Sequence, residues 1–168
     1  MDAKMNTEVT LNNRFADCMK AKMNMKVALD AFAYPLTKGH ETDAGFDIRL
    51  PSDKGKQKVS FFKPLIVDTG VYVDIPEGYV GFLKSKSGLN VKSAINGEGV
   101  IDAGYTGSIK VKLYRNSFFG KKVFEPGDKI IQLVILPIPK VEIDYVDSVD
   151  KFDAVGSRKT GGFGSTGR

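Results

Sequence analysis

Cysteine and histidine are nearly absent from this chain: Cys18 and His40 are the single examples of each, and tryptophan does not occur. One cysteine closes no intrachain disulfide, and one histidine cannot anchor a metal cluster. Catalysis by a Cys–His or Ser–His pair would rest on His40 alone. Its setting, Lys38-Gly39-His40-Glu41-Thr42, reads as a polar loop with a solvated imidazole. No run of eighteen apolar residues occurs, so no transmembrane helix is expected. The N-terminus has no apolar core and no small-residue cleavage site of a secretory signal, and a cytoplasmic protein is the expectation. Any chemistry must therefore come from carboxylates, hydroxyls, cations and backbone.

The 168 residues suffice for one well-buried core. The net charge of +5 is unevenly spread. Between Lys84 and Lys122 eight Lys/Arg face only Glu98 and Asp102, whereas from Lys140 onward basic and acidic residues balance. A basic central segment suits a phosphorylated small molecule, a nucleic acid, or simply a solvated face.

From Val27 onward, short Val/Ile/Phe/Tyr-rich runs alternate with Gly, Pro, Asn and Asp clusters, the punctuation of an all-β chain. Ser108-Ile109-Lys110-Val111-Lys112-Leu113 alternates with period two and places Ile109, Val111 and Leu113 on one buried face. Val71–Ile75 runs into Pro76-Glu77-Gly78, and Tyr79–Leu83 reads as its return strand. The nearly unbroken apolar run Ile130–Leu136 predicts a strand buried on both faces. No helical period of useful length is expected after residue 26. Many short strands favour a barrel or jelly roll. Residues 1–25 read as an extension outside this fold, residues 26–152 as the barrel, and residues 153–168 as a C-terminal arm.

Three stretches could carry chemistry. In Thr42-Asp43-Ala44-Gly45-Phe46-Asp47-Ile48, small residues beside two carboxylates allow close backbone approach, and Asp47 can accept hydrogen bonds or hold a hydrated cation; a plain turn before a strand explains the stretch equally. Lys84-Ser85-Lys86-Ser87-Gly88-Leu89-Asn90 reads as a phosphate cradle or as an exposed polar loop, and no Walker A string exists anywhere. In Asn96–Gly107, Asp102 sits beside Ile101 and near Tyr105, where a carboxylate in partly apolar surroundings can serve as a base for water; a bare β-hairpin is the alternative. Beyond these, a lone Phe163 lies among the glycines of Gly161–Gly167, a pattern suited to folding onto a ligand.

Together these stretches and Pro126–Leu133 stand in the order of five motifs, and the chain resembles the homotrimeric dUTPase family. The motifs are Ala44–Ile48, Lys86–Leu89, Asn96–Tyr105 with Gly107, Pro126–Leu133, and Arg158 followed by Gly161–Gly167. The resemblance implies a distorted jelly-roll, or β-clip, fold with a flexible C-terminal arm. It implies hydrolysis of dUTP to dUMP and pyrophosphate in a homotrimer whose active sites are shared between subunits, with neither membrane nor nucleic acid required. Asp102 would activate the water that attacks the α-phosphorus. The third-motif hairpin, with Asn96, Gly99 and Ile101, would read uracil, and Tyr105 would pack beneath the deoxyribose and exclude a 2′-hydroxyl. Lys86, Ser87, Gly88 and Gln132 would bind phosphate oxygens. Asp47 would contact Mg2+ through water. Phe163 with Gly164 would close over uracil, while Arg158, Ser165 and Thr166 would hold the distal phosphates. Two positions depart from the family pattern: Lys86 stands where arginine is usual, and Lys159-Thr160 follows Arg158 where a glycine is usual. A related deaminase would need a glutamate in the region that Leu113, Tyr114 and Arg115 occupy here.

Overall fold

The computed structural model describes residues 23–152. Eleven strands lie between Lys26 and Pro137. The chain divides at Ile138 into two units, and among the described residues of the second only a 3-10 turn, Val149–Lys151, is regular.

In the first unit all strand pairs are antiparallel. The four-stranded sheet runs β2 (Gly45–Arg49), β11 (Lys129–Pro137), β6 (Tyr79–Lys84), β8 (Glu98–Ile101). A three-stranded sheet runs β4 (Leu65–Asp68), β9 (Lys110–Arg115), β7 (Ile95–Asn96). Two ribbons complete the set, β1 (Lys26–Leu29) with β5 (Val71–Asp74) and β3 (Gln57–Val59) with β10 (Lys122–Phe124). The sheets do not close on one another, which makes this a distorted jelly roll rather than a closed barrel.

Their inner faces share one core that includes Ile48, Leu50, Val67, Ile95, Val111, Phe124 and Leu133. β9 shows why the register is fixed. Ile109, Val111 and Leu113 are fully buried while Lys110 and Lys112 are exposed. A slip by one residue would expose three aliphatic side chains, each stabilising by about 1.5–3 kcal/mol on burial, and would bury two ammonium groups.

Three expectations change. β5 and β6 form no hairpin: β6 has β11 on one side and β8 on the other, so no edge remains for β5, which pairs with β1. Gly78, at φ 83°, turns the chain from one sheet into the other. The run in β11 is buried on both faces only at Ile130 and Ile131, where the register against β2 shifts; beyond this bulge, burial falls away toward Leu136. The polar stretch after β6 is a short helix, α1 (Ser87–Ser93), not a loop.

Candidate active site

α1 has only seven residues, too few to persist alone. Leu89 packs it against the core, the Arg115 guanidinium donates to the Ser93 carbonyl at 3.0 Å, and the Asn116 amide donates to the Ala94 carbonyl at 2.8 Å. It ends at Ala94, a non-glycine residue in the left-handed region at φ 51°. At its start Lys86 is extended and no side chain caps the helix, so the first-turn amides have no internal acceptor.

β2 and β11 bring the other residues to this helix. The register sets Gln132 opposite Asp47 on one side and Lys84 on the other. The Gln132 amide donates to the Ser85 carbonyl at 3.2 Å. It has room because position 45 is glycine: a Cβ there would lie 2.7 Å from the Gln132 Oε1. Ser85 in turn accepts from the Gly97 amide at 2.9 Å and donates to its carbonyl, tying the helix entry to β8.

Asp47 is buried, and its two oxygens meet two ammonium groups, Lys86 through Oδ1 and Lys129 through Oδ2 at 2.6 Å. Burial, the largest single influence, pushes this carboxyl up. The hydrogen bonds from Lys129 and Lys86, together with their charges, outweigh it and hold the carboxyl below its ordinary 3.8. The sequence offered no role for Lys129. It reaches Asp47 because the Glu125–Asp128 turn, closed by the Asp128 carboxylate on the Glu125 amide at 2.9 Å, delivers β11 with a bulge at its first residues. Around the triad lies a cavity of about 400 Å³ that also exposes Ser87, Gln132, His40 and Asp43. His40 is exposed, as its polar setting implies.

The third motif is split: Asn96 and Gly97 adjoin α1, and its Asp102–Gly107 end lies elsewhere. β6 and β8 pair from Lys84↔Glu98 to Gly81↔Ile101, a ladder about 10 Å long; Lys86 lies beyond one end of it and Asp102 beyond the other. Asp102 is exposed, with buried Ile101 before it. It opens a turn that the Tyr105 amide closes on its carbonyl at 3.2 Å. Tyr105 is 43% exposed, and its hydroxyl donates to the Ser108 carbonyl at 3.1 Å. The ring crowds Gly107, where no Cβ fits. Tyr105 borders a second cavity, also about 420 Å³, with Lys26, Tyr72 and Asp74. That cavity contains none of the Asp47, Lys86, Ser87 or Gln132 group. Asn96 is half-buried and accepts from the Asn90 amide; Gly99 packs on Leu83, and Ile101 is core. Arg158, Phe163, Gly164, Ser165 and Thr166 lie outside the described residues.

Among the described residues no three His, Cys, Asp or Glu gather as a metal cage. One buried carboxylate already flanked by two ammoniums suits outer-sphere contact with a hydrated ion that arrives on phosphate oxygens, and does not suit direct ligation. Where a deaminase would carry its glutamate, Leu113 is buried and Arg115 is held at Ser93.

The open sheets are a distorted jelly roll of the β-clip kind, with a polar pocket at the start of α1 and a separate Asp102–Tyr105 turn. The dUTPase family profile matches residues 33–167, and the chain belongs to that family. The deoxyuridine 5'-triphosphate nucleotidohydrolase of Gloeobacter violaceus is 35% identical over 139 residues, covering 81% of this chain and 90% of its own. That of Mycobacterium leprae is 38% identical over 135 residues, 78% and 86% of the two chains. Among solved structures, the dUTPase of Staphylococcus bacteriophage 80alpha with dUPNHPP superposes with a TM-score of 0.72 at 31% identity, over 88% of this chain and all of that one. A mutant dUTPase of S. aureus phage phi11, described with a structural Mg(II) ion, gives 0.66 at 29% identity over 76% and 99%.

Proposed function

We propose that this chain hydrolyses dUTP to dUMP and pyrophosphate, with Asp102 as the base that activates water. The observation that carries the reading is the span of the family match, 33–167, which includes the Lys86–Lys129 pocket, the Asp102 turn and the glycine-rich arm together. The water's oxygen forms a bond to the α-phosphorus and its proton passes to the Asp102 carboxylate. The bond from that phosphorus to the bridging oxygen breaks, and pyrophosphate leaves. Lys86, Ser87, Gly88 and Gln132 bind the phosphates, with Lys129 alongside. Asn96, Gly99 and Ile101 position the backbone that reads uracil, and Tyr105 packs on the deoxyribose, where a 2′-hydroxyl would collide with the ring. Arg158, Phe163, Gly164, Ser165 and Thr166 close over the bound nucleotide. Magnesium carried on the triphosphate would neutralise part of its charge, with Asp47 contacting it through water.

The active unit in this reading is a homotrimer that shares its sites. Two features support it. The α1 pocket and the Asp102 turn leave opposite ends of one ladder, so one chain does not bring them side by side. Val141, Ile143 and Tyr145 alternate along the second unit and are 73%, 73% and 89% exposed, an apolar strip suited to cover by another copy. The enzyme would act in the cytoplasm; no helix of the described residues is long and apolar enough to cross a membrane.

The test is pyrophosphate release from dUTP, UTP, dCTP and dTTP by the parent and by Asp102→Asn. The parent should act on dUTP with strong preference, and the variant should bind nucleotide and assemble normally while losing turnover by at least a hundredfold. Parent-like turnover in the variant would remove Asp102 from the mechanism.

A further inference from the structure

At the far side of the β3–β10 ribbon four phenylalanines stand in solvent. Phe61 and Phe62 are the two central residues of a tight turn, closed by the Ser60 amide on the Lys63 carbonyl at 3.1 Å and the Lys63 amide on the Ser60 carbonyl at 3.3 Å. Such turns ordinarily carry Asn, Asp or Gly. Pairing of Lys122 with Val59 brings this turn beside the loop that holds Phe118 and Phe119. Exposures run from 49% at Phe61 and 60% at Phe118 to 78% at Phe62 and 82% at Phe119. The rings touch one another with centroids 5.2–5.6 Å apart, two contacts edge-on between the loops' own neighbours and two across the loops. None of the four lines either cavity.

The surroundings carry one sign of charge. No Asp or Glu occurs from Lys54 to Val67 or from Ala103 to Phe124. Lys58, Lys63, Lys121 and Lys122 form no ion pair among the described residues. We propose that this aromatic knob is a docking site for an acidic protein partner, one that offers an apolar pocket rimmed by Asp and Glu. The exposed ring surface amounts to roughly 500 Å². That is enough for the apolar centre of an interface of about 800 Å² per partner, with lysines at its rim supplying steering and specificity. A second copy is a poor occupant, because the same lysine rim would face itself. A single nucleic-acid strand fits less well too: the rings bury their edges in one another and do not stand apart as platforms for successive bases.

The test is selection of phage-displayed random dodecapeptides on the full-length protein. Selected sequences should be rich in Asp and Glu around Leu, Ile or aromatic anchors. A synthetic selected peptide, followed by fluorescence anisotropy, should lose at least tenfold in affinity for Phe62→Ser/Phe119→Ser and for Lys63→Glu/Lys121→Glu. Both variants should melt as the parent does and release pyrophosphate from dUTP at the parent rate. The charge-reversal pair decides the matter should the serine pair fail to fold. Neutral or basic selected peptides, or equal binding to the variants, would overturn the proposal. So would patch-dependent binding of oligo(dT), of phosphatidylserine vesicles, or of the protein to itself, in place of the acidic peptide.

Discussion

Replacing Asp47 by asparagine keeps the shape of the buried side chain and removes its charge, so it isolates what the carboxylate does for Lys86 and Lys129. Taking one partner from a fully buried ion pair costs about 3–5 kcal/mol, because the remaining charge is stranded. Here the lysine side chains retain 27% and 35% exposure and can turn toward water. The expected loss is therefore smaller, about 1–3 kcal/mol at neutral pH. For a domain of this size that lowers Tm by roughly 3–12 °C.

The pH dependence has a definite sign. The folded-state carboxyl lies below its ordinary 3.8, so its contribution is complete above that value and disappears as pH falls through the lower folded-state value. Denaturant melts of parent and Asp47→Asn should differ by a constant amount from neutral pH down to about 5. The two curves should converge below 3.8. Adding Lys129→Met to the variant should recover part of the loss, with a coupling of about 1 kcal/mol. Identical melts at neutral pH, or a gap that survives at the acidic end, would refute the account of this triad.

Gly45→Ala should leave the fold intact and displace the Gln132 side chain from the Ser85 carbonyl, since the new methyl would lie 2.7 Å from its Oε1; kcat/KM for dUTP should fall about tenfold, read by pyrophosphate release. Ala94→Gly relieves a left-handed residue at the end of α1 and should raise stability by about 0.5 kcal/mol in denaturant melts. Deleting residues 161–168 should leave assembly and melting unchanged in sedimentation and calorimetry, while turnover falls at least tenfold, because the deletion removes the proposed lid.

Where a strand's own side chains decide its burial, the sequence was a sufficient guide. Lys110 and Lys112 alternating with Val111 and Leu113 admit one register, and β9 adopts it. Where the outcome depends on which neighbour competes for an edge, it was not. The turn at Pro76–Gly78 carries every local mark of a hairpin, yet β6 is claimed on both sides by strands that come later in the chain. α1 was illegible for a similar reason: its apolar content is little more than Leu89, and Arg115 and Asn116, more than twenty residues away, hold its C-terminal end. Lys129 was hidden because its approach to Asp47 depends on a bulge, a feature with no mark in residue type alone. Phe61-Phe62 and Phe118-Phe119 are conspicuous as doublets, but only the β3–β10 pairing makes them one surface.

The order of the motifs along the chain suggests parts of one pocket, and antiparallel pairing separates two of them. An antiparallel ladder carries the residue after one strand and the residue after its partner to opposite ends, and the four-residue β6–β8 register does this to Lys86 and Asp102. The triphosphate contacts and the attacking water must meet within a few ångströms at one phosphorus. Lys86 and Asp102 of one chain lie beyond the two ends of a ladder that itself spans about 10 Å, three residue steps. Local loop movement would have to close that gap while keeping Ser85 bonded to Gly97, the contact that fixes the helix entry to β8. Juxtaposing the Lys86 pocket of one copy with the Asp102 turn of another needs no such distortion. Mixing Asp102→Asn chains with Lys86→Met chains distinguishes the two arrangements: shared sites restore a fraction of parent turnover in the mixture, whereas sites complete within one chain restore none.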